Sequence, residues 1–513
     1  MLTPLDYTVI AIYLVGVLGI GAWIGGRQTS RTDYFLGSRS LPWWAVCFSI
    51  VATETSTLTV IGVPAVAYAG TMTFLQLTLG YLIGRIAVSV IMLPRYASGE
   101  FVTAYAFLGE RFGRQTQAVA SVTFLCTRLL ADGVRLFATA IPIKLIADAS
   151  GVSLSYFEIT LSIGLFTIFY TIIGGIKAVI WIDVIQMGVY LGGAFVALLV
   201  LLQEAPADWF ARAADAGKLQ ILNLEVGRPF AYWVTEQYAF VTAVIGGAIF
   251  SMASHGSDQL IVQRLLACRS LEDSRKALIG SGLVVMVQFT LFLLVGVLLW
   301  AYYDGASPAE LGLTRADEVF PRFIIEGLPP GVSGLILAGI VAAAMSTLSS
   351  SLNALASSSM MDLYERFSGK RLDDDQALRM ARFFTLIWGI IFVGFAGLFE
   401  ERTDPVVELG LAVASFTYGG MLGLFALGLL QRKAVQADAI AAFVVTVGLM
   451  IAIVGGVRYD PAGGWLMLWF KEAPATGLRE IAWPWYTSIG VALMLVFGSL
   501  RAIWHTLQSS MRT

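Results

Sequence analysis

A stripe of small polar side chains lies within the apolar segment 335–361. Its members follow at i, i+3, i+4, i+7 and i+11, which places them on one face of a helix: Ser346, Ser349, Ser350, Asn353 and Ser357. Hydroxyl oxygens coordinate hard cations, and small polar residues also let two membrane helices approach closely. The stripe therefore indicates either an ion path or a helix–helix packing face.

A single carboxylate interrupts a second apolar segment, 178–203. This residue, Asp183, is a functional candidate because ionisable side chains are costly within a membrane. Its carboxyl group could also carry protons, or it could cap a helix N-terminus, since the glycine pair of segment 174–177 comes just before it. A carboxylate and a hydroxyl stripe in separate apolar segments together favour a cation path.

Segment 49–64 places seven polar residues at membrane depth and ends in Gly62 and Pro64. A continuous helix that faces lipid could not carry them, whereas a broken helix leaves backbone carbonyls free to coordinate a cation. Segment 246–256, which is rich in glycine and serine, is a weaker counterpart five spans later. Two interrupted helices at this separation suggest an inverted repeat, although glycine-rich segments also serve as ordinary packing faces.

The composition is that of a polytopic helical membrane protein. Of its 513 residues, 57% are hydrophobic and 13% are charged, whereas soluble proteins carry about a quarter charged residues. The mean hydropathy is +0.77. Runs of about 20 apolar residues can cross a bilayer, and they predict some thirteen spans: 5–26, 42–69, 71–93, 117–147, 153–174, 178–203, 233–254, 276–303, 333–362, 380–400, 405–430, 434–456 and 483–504.

Several classes of function are disfavoured by the same sequence. The formal net charge of -2 gives no reason to expect a nucleic-acid partner. No Walker-type Gly-Lys-Ser/Thr sequence occurs, which disfavours transport driven by ATP within this chain. The three cysteines and two histidines have no metal-ligand or catalytic spacing. We therefore expect neither an enzyme nor an organic cofactor, and no required protein partner is evident.

The distribution of Lys and Arg predicts the orientation of the chain. With the N-terminus outside, alternate loops place twenty of these residues inside and nine outside, and the inside count includes Arg264. Such a bias favours a cytoplasmic C-terminus in the plasma (inner) membrane. About nine residues follow the last predicted span, which is too few for the output domain of a solute sensor.

Four ordered segments resemble the sodium:solute symporter family, the group of the glucose, proline, iodide and sialic-acid cotransporters. They are the loop 33–44, segment 171–186, segment 258–264 and the serine-rich stripe, and the likeness covers nearly the whole chain. The resemblance implies an all-α, LeuT-like core of two inverted five-helix repeats, with one helix before and two after. Within a single transporter domain, 1–513, it implies these parts: first helix and cytoplasmic loop 1–41, repeat one 42–203, repeat two 233–430, and C-terminal helices 434–513.

The resemblance also implies two cation sites built from oxygen donors. Sodium site one would comprise backbone carbonyls and hydroxyls of Ala52, Thr55, Ala343, Ser346 and Thr347. Sodium site two, present in some members, would comprise Asp183, Ser346, Ser349 and Ser350. Neutral oxygens hold a monovalent ion weakly enough to release it in each cycle, and the hydroxyls present favour Na+ over H+.

Solute contacts are expected from the first broken helix and the two helices after it. The resemblance nominates Ser56, Thr59 and Gln76, while Glu54 stands where a neutral polar residue is more usual. One face of the fourth span carries two cations and one anion, at i, i+4 and i+7: Arg128, Asp132 and Arg135. Either Glu54 completes a neutral network, or one guanidinium remains free to bind a solute carboxylate. His255, at the cytoplasmic end of the seventh span, is expected to have a helix-end polar role.

We accordingly predict a sodium-coupled symporter that imports a small polar organic solute by alternating access. An anionic or zwitterionic solute is favoured over a neutral sugar because of the arginines in the fourth span. The alternatives are a membrane solute sensor with a transporter-like domain, a proton-coupled carrier, and a channel or membrane-embedded enzyme. The expected partners of the protein are this small-molecule solute and the lipid bilayer.

Overall fold

Long apolar runs fold into helices because hydrocarbon offers no hydrogen-bond partners to the backbone. The computed structural model describes residues 2–25, 28–99, 101–149, 151–369, 372–398, 406–460, 465–468 and 479–510. Its α-helices are α1 Pro4–Gly25, α2 Arg31–Leu36, α3 Trp43–Glu54, α4 Thr57–Ala69, α5 Leu75–Ile91, α6 Leu93–Ala97, α7 Tyr105–Phe112, α8 Arg114–Ala149, α9 Tyr156–Glu204, α10 Trp209–Asp215, α11 Phe230–Thr235, α12 Gly247–Gly256, α13 Gln259–Leu266, α14 Leu271–Tyr302, α15 Val319–Glu326, α16 Val332–Ser358, α17 Glu365–Ser368, α18 Asp374–Gly397, α19 Val406–Leu430, α20 Gln436–Gly456 and α21 Pro484–Ser510.

Eight helices of the described residues are long and apolar enough to span a membrane, or nine if a bent pair counts as one span. Helix α9 is one of the eight and has 49 residues, a length of about 74 Å at 1.5 Å per residue. Gly175 interrupts it with φ 53° and ψ −153°, between the two predicted spans 153–174 and 178–203. A Cβ at this position would lie 2.6 Å from the Tyr34 carbonyl oxygen, so the kink requires glycine.

The predicted seventh span, 233–254, differs most from the structure. It comprises the short helix α11, a π-helical turn at Thr242–Gly246 and α12. Three predicted span ends, at residues 26, 400 and 405, lie outside the described residues. The same is true of six residues in the charge count: Arg27, Lys370, Arg371, Arg402, Lys471 and Arg512. The total of thirteen spans remains a prediction.

The second predicted span is broken in the structure, as the polar residues of segment 49–64 predicted. Helix α3 ends at Glu54, α4 begins at Thr57, and the two axes differ by 69°. Thr55 has an extended backbone with φ −80° and ψ 104°. Ser56 caps α4, and its amide donates to the Thr59 hydroxyl at 3.3 Å. These polar side chains therefore cap the N-terminus of α4, the helix that follows the break at membrane depth.

Helix α16, which carries the hydroxyl stripe, lies inside the helix bundle. Of its 27 residues, 24 are buried, and it packs against α1, α3, α8, α9 and α18. Alanine and serine side chains permit this close approach. The stripe therefore contacts protein rather than lipid.

A small antiparallel sheet lies between α20 and α21, in the loop that joins the last two predicted spans. Its strands are β1 Val457–Asp460, β2 Trp465–Leu468 and β3 Arg479–Glu480, in the order β2-β1-β3. Val457 pairs with Leu468 and Tyr459 with Arg479. Across the strands, Arg458 forms an ion pair with Glu480 at 2.8 Å. The otherwise helical fold thus has a short sheet in one of its loops.

Candidate functional site

A cavity of about 1400 Å³ enters the helix bundle from one side. Its lining includes segment 235–238, at the outer end of the predicted seventh span, and segment 479–483, where the predicted last outside loop meets the last span. The cavity reaches the break between α3 and α4, where polar and charged residues line it: Thr53, Glu54, Ser56, Thr59, Arg128, Arg135, Ser251, His255 and Tyr418. The cavity therefore joins the broken helix to the proposed solute contacts.

Five of the six predicted solute contacts line this cavity, and Gln76 is the exception. The fully buried Gln76 amide donates to the carbonyls of Thr73 at 3.1 Å and Tyr238 at 2.9 Å, and it accepts from the Asn223 amide at 2.9 Å. Lys218, in the same loop as Asn223, donates to the Tyr68 carbonyl at 2.7 Å. Burial lowers the pKa of the Lys218 amine. In this structure Gln76 anchors an outer loop instead of lining the cavity, and its role as a solute contact stays a prediction.

Glu54 has two partners that the sequence analysis missed. One carboxylate oxygen accepts from Arg85 at 2.6 Å, and the other contacts the His255 ring. Arg85 is fully buried and also donates to Ser281 at 2.5 Å. The hypothesis that Glu54 neutralises the fourth-span arginines is therefore wrong. An arginine within the apolar run 71–93 was the signal that could have revealed this pair.

His255 lies in the last turn of α12, at the predicted helix end. Its ring nonetheless faces the interior, where Nδ1 lies 3.0 Å from the Ser251 carbonyl and Nε2 contacts Glu54. The expectation of a simple helix-end role is corrected, because the ring lines the cavity. Two titratable side chains therefore share one wall of the cavity.

The charges of the fourth span, now α8, belong to a larger network. Arg128 donates to Asp132 at 3.3 Å and also contacts Asp258 and the Tyr418 hydroxyl. Arg135 reaches Asp132 at 3.4 Å. With Asp258 included, two arginines face two aspartates, which corrects the predicted excess of one positive charge. The Arg128 side chain is 6% exposed and that of Arg135 is 27% exposed, so the two cations differ in access to the cavity.

The residues predicted for sodium site one come from α3 with its C-cap and from α16, which lie side by side. The Thr347 hydroxyl contacts the Ala343 carbonyl at 3.1 Å and the Thr53 carbonyl at 3.5 Å. The Thr55 hydroxyl donates to the Val51 carbonyl at 2.8 Å. Ala52 and Ala343 are fully buried. Because α3 ends here, its last carbonyls lack the N–H donors of a further helical turn, and hydroxyls of α16 lie beside them.

The residues predicted for sodium site two include the fully buried Asp183 on α9 and three serines of α16 near it. Its carboxylate accepts from Ser346 at 2.7 Å and from Ser49 at 2.5 Å. Ser349 donates to the Ser346 carbonyl at 3.1 Å, and Ser350 lies 2.9 Å from the Thr53 hydroxyl. The structure thus brings Asp183 and Ser346 into direct contact, with Ser349 and Ser350 on the adjoining turn of α16.

A fully buried arginine, Arg264 of α13, occupies the same place. Its guanidinium donates to Asp183 at 3.3 Å and also contacts Ser350. The positive-inside count treated Arg264 as a loop residue, and the structure corrects this. The signal was its position in segment 258–264, one of the four segments that carry the family resemblance.

The C-terminal part of the stripe, Asn353 and Ser357, packs against α13. Asn353 accepts from Gln263 at 2.7 Å, and Ser357 accepts from Gln259 at 3.3 Å. Helix–helix contact therefore accounts for the residues farthest from Asp183. The described residues contain no group of three or more His, Cys, Asp or Glu side chains that could hold a metal ion, so a cation here would depend on carbonyl and hydroxyl oxygens and, at the predicted site two, on the single Asp183 carboxylate.

Known proteins resemble this chain over most of its length. A sequence model of the sodium:solute symporter family matches residues 34–446. The chain belongs to the sodium:solute symporter family. The symporter is 26% identical to the sodium/sialic acid symporter NanT of Aliivibrio fischeri, over 97% of its own length and 93% of that protein. It is 29% identical to the human sodium/iodide cotransporter, over 83% of its own length and 65% of that protein.

The solved structure of a Na+-coupled sialic acid symporter, in a substrate-bound outward-open state, has the same fold. Its TM-score is 0.83, with 24% identity and 98% of both chains covered. The symporter is thus a multi-pass membrane protein with a LeuT-like fold rather than an enzyme. Sodium is its coupling ion, and its partners are a small-molecule solute and membrane lipid.

Proposed function

We propose that this symporter imports a small anionic or zwitterionic organic solute, and that Arg135 binds the solute's carboxylate. The observation that carries the proposal is the difference between the two arginines of α8. Arg128 is buried against Asp132, Asp258 and Tyr418. Arg135 lines the cavity, is 27% exposed, and reaches Asp132 only at 3.4 Å. A guanidinium in this position can form a charge-assisted, bidentate contact with a carboxylate.

The other cavity residues in the proposed solute site differ in what they can offer. Ser56 and Thr59, at the start of α4, present hydroxyls to polar groups of a solute. Arg128 and Glu54 are already paired, and they line the cavity as neutral pairs with their partners. Such pairs shape the wall without adding net charge. Arg135 is therefore the residue on which selection for an anion depends.

Sodium site one comprises Ala52, Thr55, Ala343, Ser346 and Thr347, and sodium site two comprises Asp183, Ser346, Ser349 and Ser350. The contact of Thr347 with the Thr53 carbonyl supports site one, because it joins α16 to the end of α3. The Ser346–Asp183 contact supports site two. Both sites lie between helices that must keep their spacing for an ion to bind. Sodium would therefore stabilise one arrangement of α3, α9 and α16 over others.

The floor of the cavity contains the contacts that alternating access would have to break. Arg128 of α8 joins Asp258, the N-cap of α13, and Tyr418 of α19. Ser351 of α16 donates to Asp132 at 2.5 Å. This network links four helices below the cavity. Its opening would connect the solute to the other side of the membrane.

The orientation of the symporter is also a proposal. Without the buried Arg264, the predicted inside loops keep nineteen of their twenty basic residues, against nine in the outside loops. This bias supports a plasma (inner) membrane location with the N-terminus outside and the C-terminus in the cytoplasm. The end of the cavity lined by segments 235–238 and 479–483 then faces outside. Such a state would receive solute and sodium from the external medium.

The names of the relatives support an anionic solute. Sialic acid, carried by the NanT symporter, and iodide, carried by the human cotransporter, are both anions at neutral pH. The two differ greatly in size. The shared feature is negative charge, which is the property that an accessible arginine would recognise.

The test is uptake by the purified protein in proteoliposomes with an inward sodium gradient. A matched panel would contain carboxylate solutes, the primary amide of each, zwitterions and neutral sugars, with choline replacing sodium in a parallel series. We expect accumulation of carboxylates or zwitterions only in sodium, and weak uptake of the amides. Accumulation of a neutral sugar to the same level would overturn the carboxylate assignment. Concentrative uptake driven by protons in choline would instead favour a proton-coupled carrier, for which the Glu54–His255 contact offers a site.

A further inference from the structure

Arg264 is one of the two largest fully buried basic side chains of the described residues. Its Nε donates to the Ser49 hydroxyl at 2.9 Å, and Nη1 donates to the Leu260 carbonyl at 2.7 Å. Nη2 donates to Asp183 at 3.3 Å and contacts the Ser350 hydroxyl. All three nitrogens of the guanidinium therefore have partners, and the group is held in one position.

Two of these partners, Asp183 and Ser350, belong to the proposed sodium site two. The carboxylate and the guanidinium together are neutral, and both are completely buried. A sodium ion added beside them would leave one uncompensated positive charge away from water, which is strongly unfavourable. Ser350 would also have to turn its lone pairs from the guanidinium towards the ion. The ion and the guanidinium therefore cannot both use this carboxylate fully.

We propose that Arg264 is a tethered cation that competes with sodium for Asp183. In the state described here, the guanidinium lies against Oδ2 of the carboxylate, while Oδ1 accepts from Ser346. Sodium enters site two only when Arg264 withdraws from Asp183 and Ser350. This inference rests on the proposed site two, and it adds a residue that determines how many sodium ions bind and in which state.

The position of Arg264 on α13 connects this competition to the cavity. The same eight-residue helix begins after Asp258, whose carboxylate contacts Arg128 and Tyr418 in the cavity floor. Asp258 also caps α13 by accepting from the Leu260 amide at 2.9 Å. A shift of α13 that releases Asp183 would therefore strain the contacts of Asp258. Competition at Asp183 thus provides a physical link between sodium binding and opening of the floor.

The experiment measures sodium binding without transport, as the rise in melting temperature of the purified full-length protein. Sodium chloride is titrated against choline chloride at constant ionic strength. For Arg264→Gln, we expect the midpoint of the sodium-dependent stabilisation to fall by about tenfold, a change of about 1.4 kcal/mol. The matched control Arg264→Lys keeps the positive charge and should shift the midpoint much less. An unchanged or higher midpoint for Arg264→Gln would overturn the proposal.

A second variant keeps the test decisive if Arg264→Gln does not fold. Ser49→Ala removes the acceptor of the Arg264 Nε and the hydroxyl that donates to Asp183 at 2.5 Å, but it removes no charge and no residue of the proposed sodium sites. It should lower the sodium midpoint by a smaller factor, and an unchanged midpoint would count against competition. The double variant Arg264→Gln/Asp183→Asn separates failure of the competition from failure of site two itself. This variant should have the weaker sodium response of site one alone, whereas a response as strong as that of Arg264→Gln would show that Asp183 does not bind the ion.

Discussion

This symporter has two charge clusters, each with as many arginines as aspartates, and the two clusters have different surroundings. Asp183 and Arg264 lie between α9, α13 and α16, and neither is exposed. The second cluster pairs Arg128 and Arg135 with Asp132 and Asp258 at the cavity. Net charge is zero in both. What distinguishes them is access, since Arg135 lines the cavity and is 27% exposed, whereas Arg264 is enclosed by the helix bundle.

This difference shows why charge counting along one helix was insufficient. The face of α8 carries an excess of one positive charge when it is considered alone. Asp258, from another part of the chain, removes the excess. The charge of α8 therefore gives no reason to expect that it binds a solute. The exposure of Arg135 and the length of its ion pair with Asp132 do give such a reason.

The largest effect should follow from breaking the inaccessible cluster. Asp183→Asn leaves the Arg264 guanidinium buried without a carboxylate, and removal of one partner from such a pair costs about 3–5 kcal/mol. We expect a lower melting temperature and a lower yield of folded protein. The double variant with Arg264→Gln should recover much of this loss. Wild-type stability of Asp183→Asn would show that the pair contributes little.

A somewhat smaller loss of stability is expected in the cavity cluster. Arg128→Gln leaves Asp258 without its arginine, but the Tyr418 hydroxyl still donates to that carboxylate at 2.8 Å. We expect destabilisation of about 2–3 kcal/mol, within the range for a broken buried charge pair. Thermal unfolding of Arg128→Gln beside Arg135→Gln would measure the difference. Equal losses in the two variants would contradict the distinction between buried and accessible arginines.

The smallest effect concerns sodium site one. Thr347→Ala removes one neutral oxygen beside the end of α3, which should cost about 0.5–1.5 kcal/mol. The sodium concentration for half-maximal uptake should rise by a factor of about 2–12. Thr71→Ala, in the turn between α4 and α5 and outside both proposed sodium sites, serves as a matched control. If the sodium dependence of Thr347→Ala equalled that of the control, the proposed site one would be wrong.

The features that could be predicted from sequence are local. The break between α3 and α4 follows from polar residues in one segment that no lipid-facing helix could contain. The burial of α16 follows from its small residues and its polar stripe. These patterns depend on neighbours within a few turns of helix. The family resemblance extended them to the whole fold.

The partners of buried charges could not be predicted in the same way. Arg264 and Asp183 are 81 residues apart, and Arg128 and Asp258 are 130 apart. Periodicity within one helix contains no information on which side chain a neighbouring helix presents. Gln76 illustrates the same limit, because its amide binds an outer loop 147 residues away. Tertiary packing, rather than residue type, decided these roles.

The central claim is that the accessible arginine of α8 receives the solute, and its most direct test is the solute affinity of Arg135→Gln. We predict normal expression and a rise in half-saturating solute concentration by a factor of about 10–200, the equivalent of about 1–3 kcal/mol for a lost charge-assisted hydrogen bond. Arg212→Gln, which alters an ion pair outside the cavity, should retain the wild-type affinity. Unchanged affinity of Arg135→Gln for a transported carboxylate solute would contradict the claim.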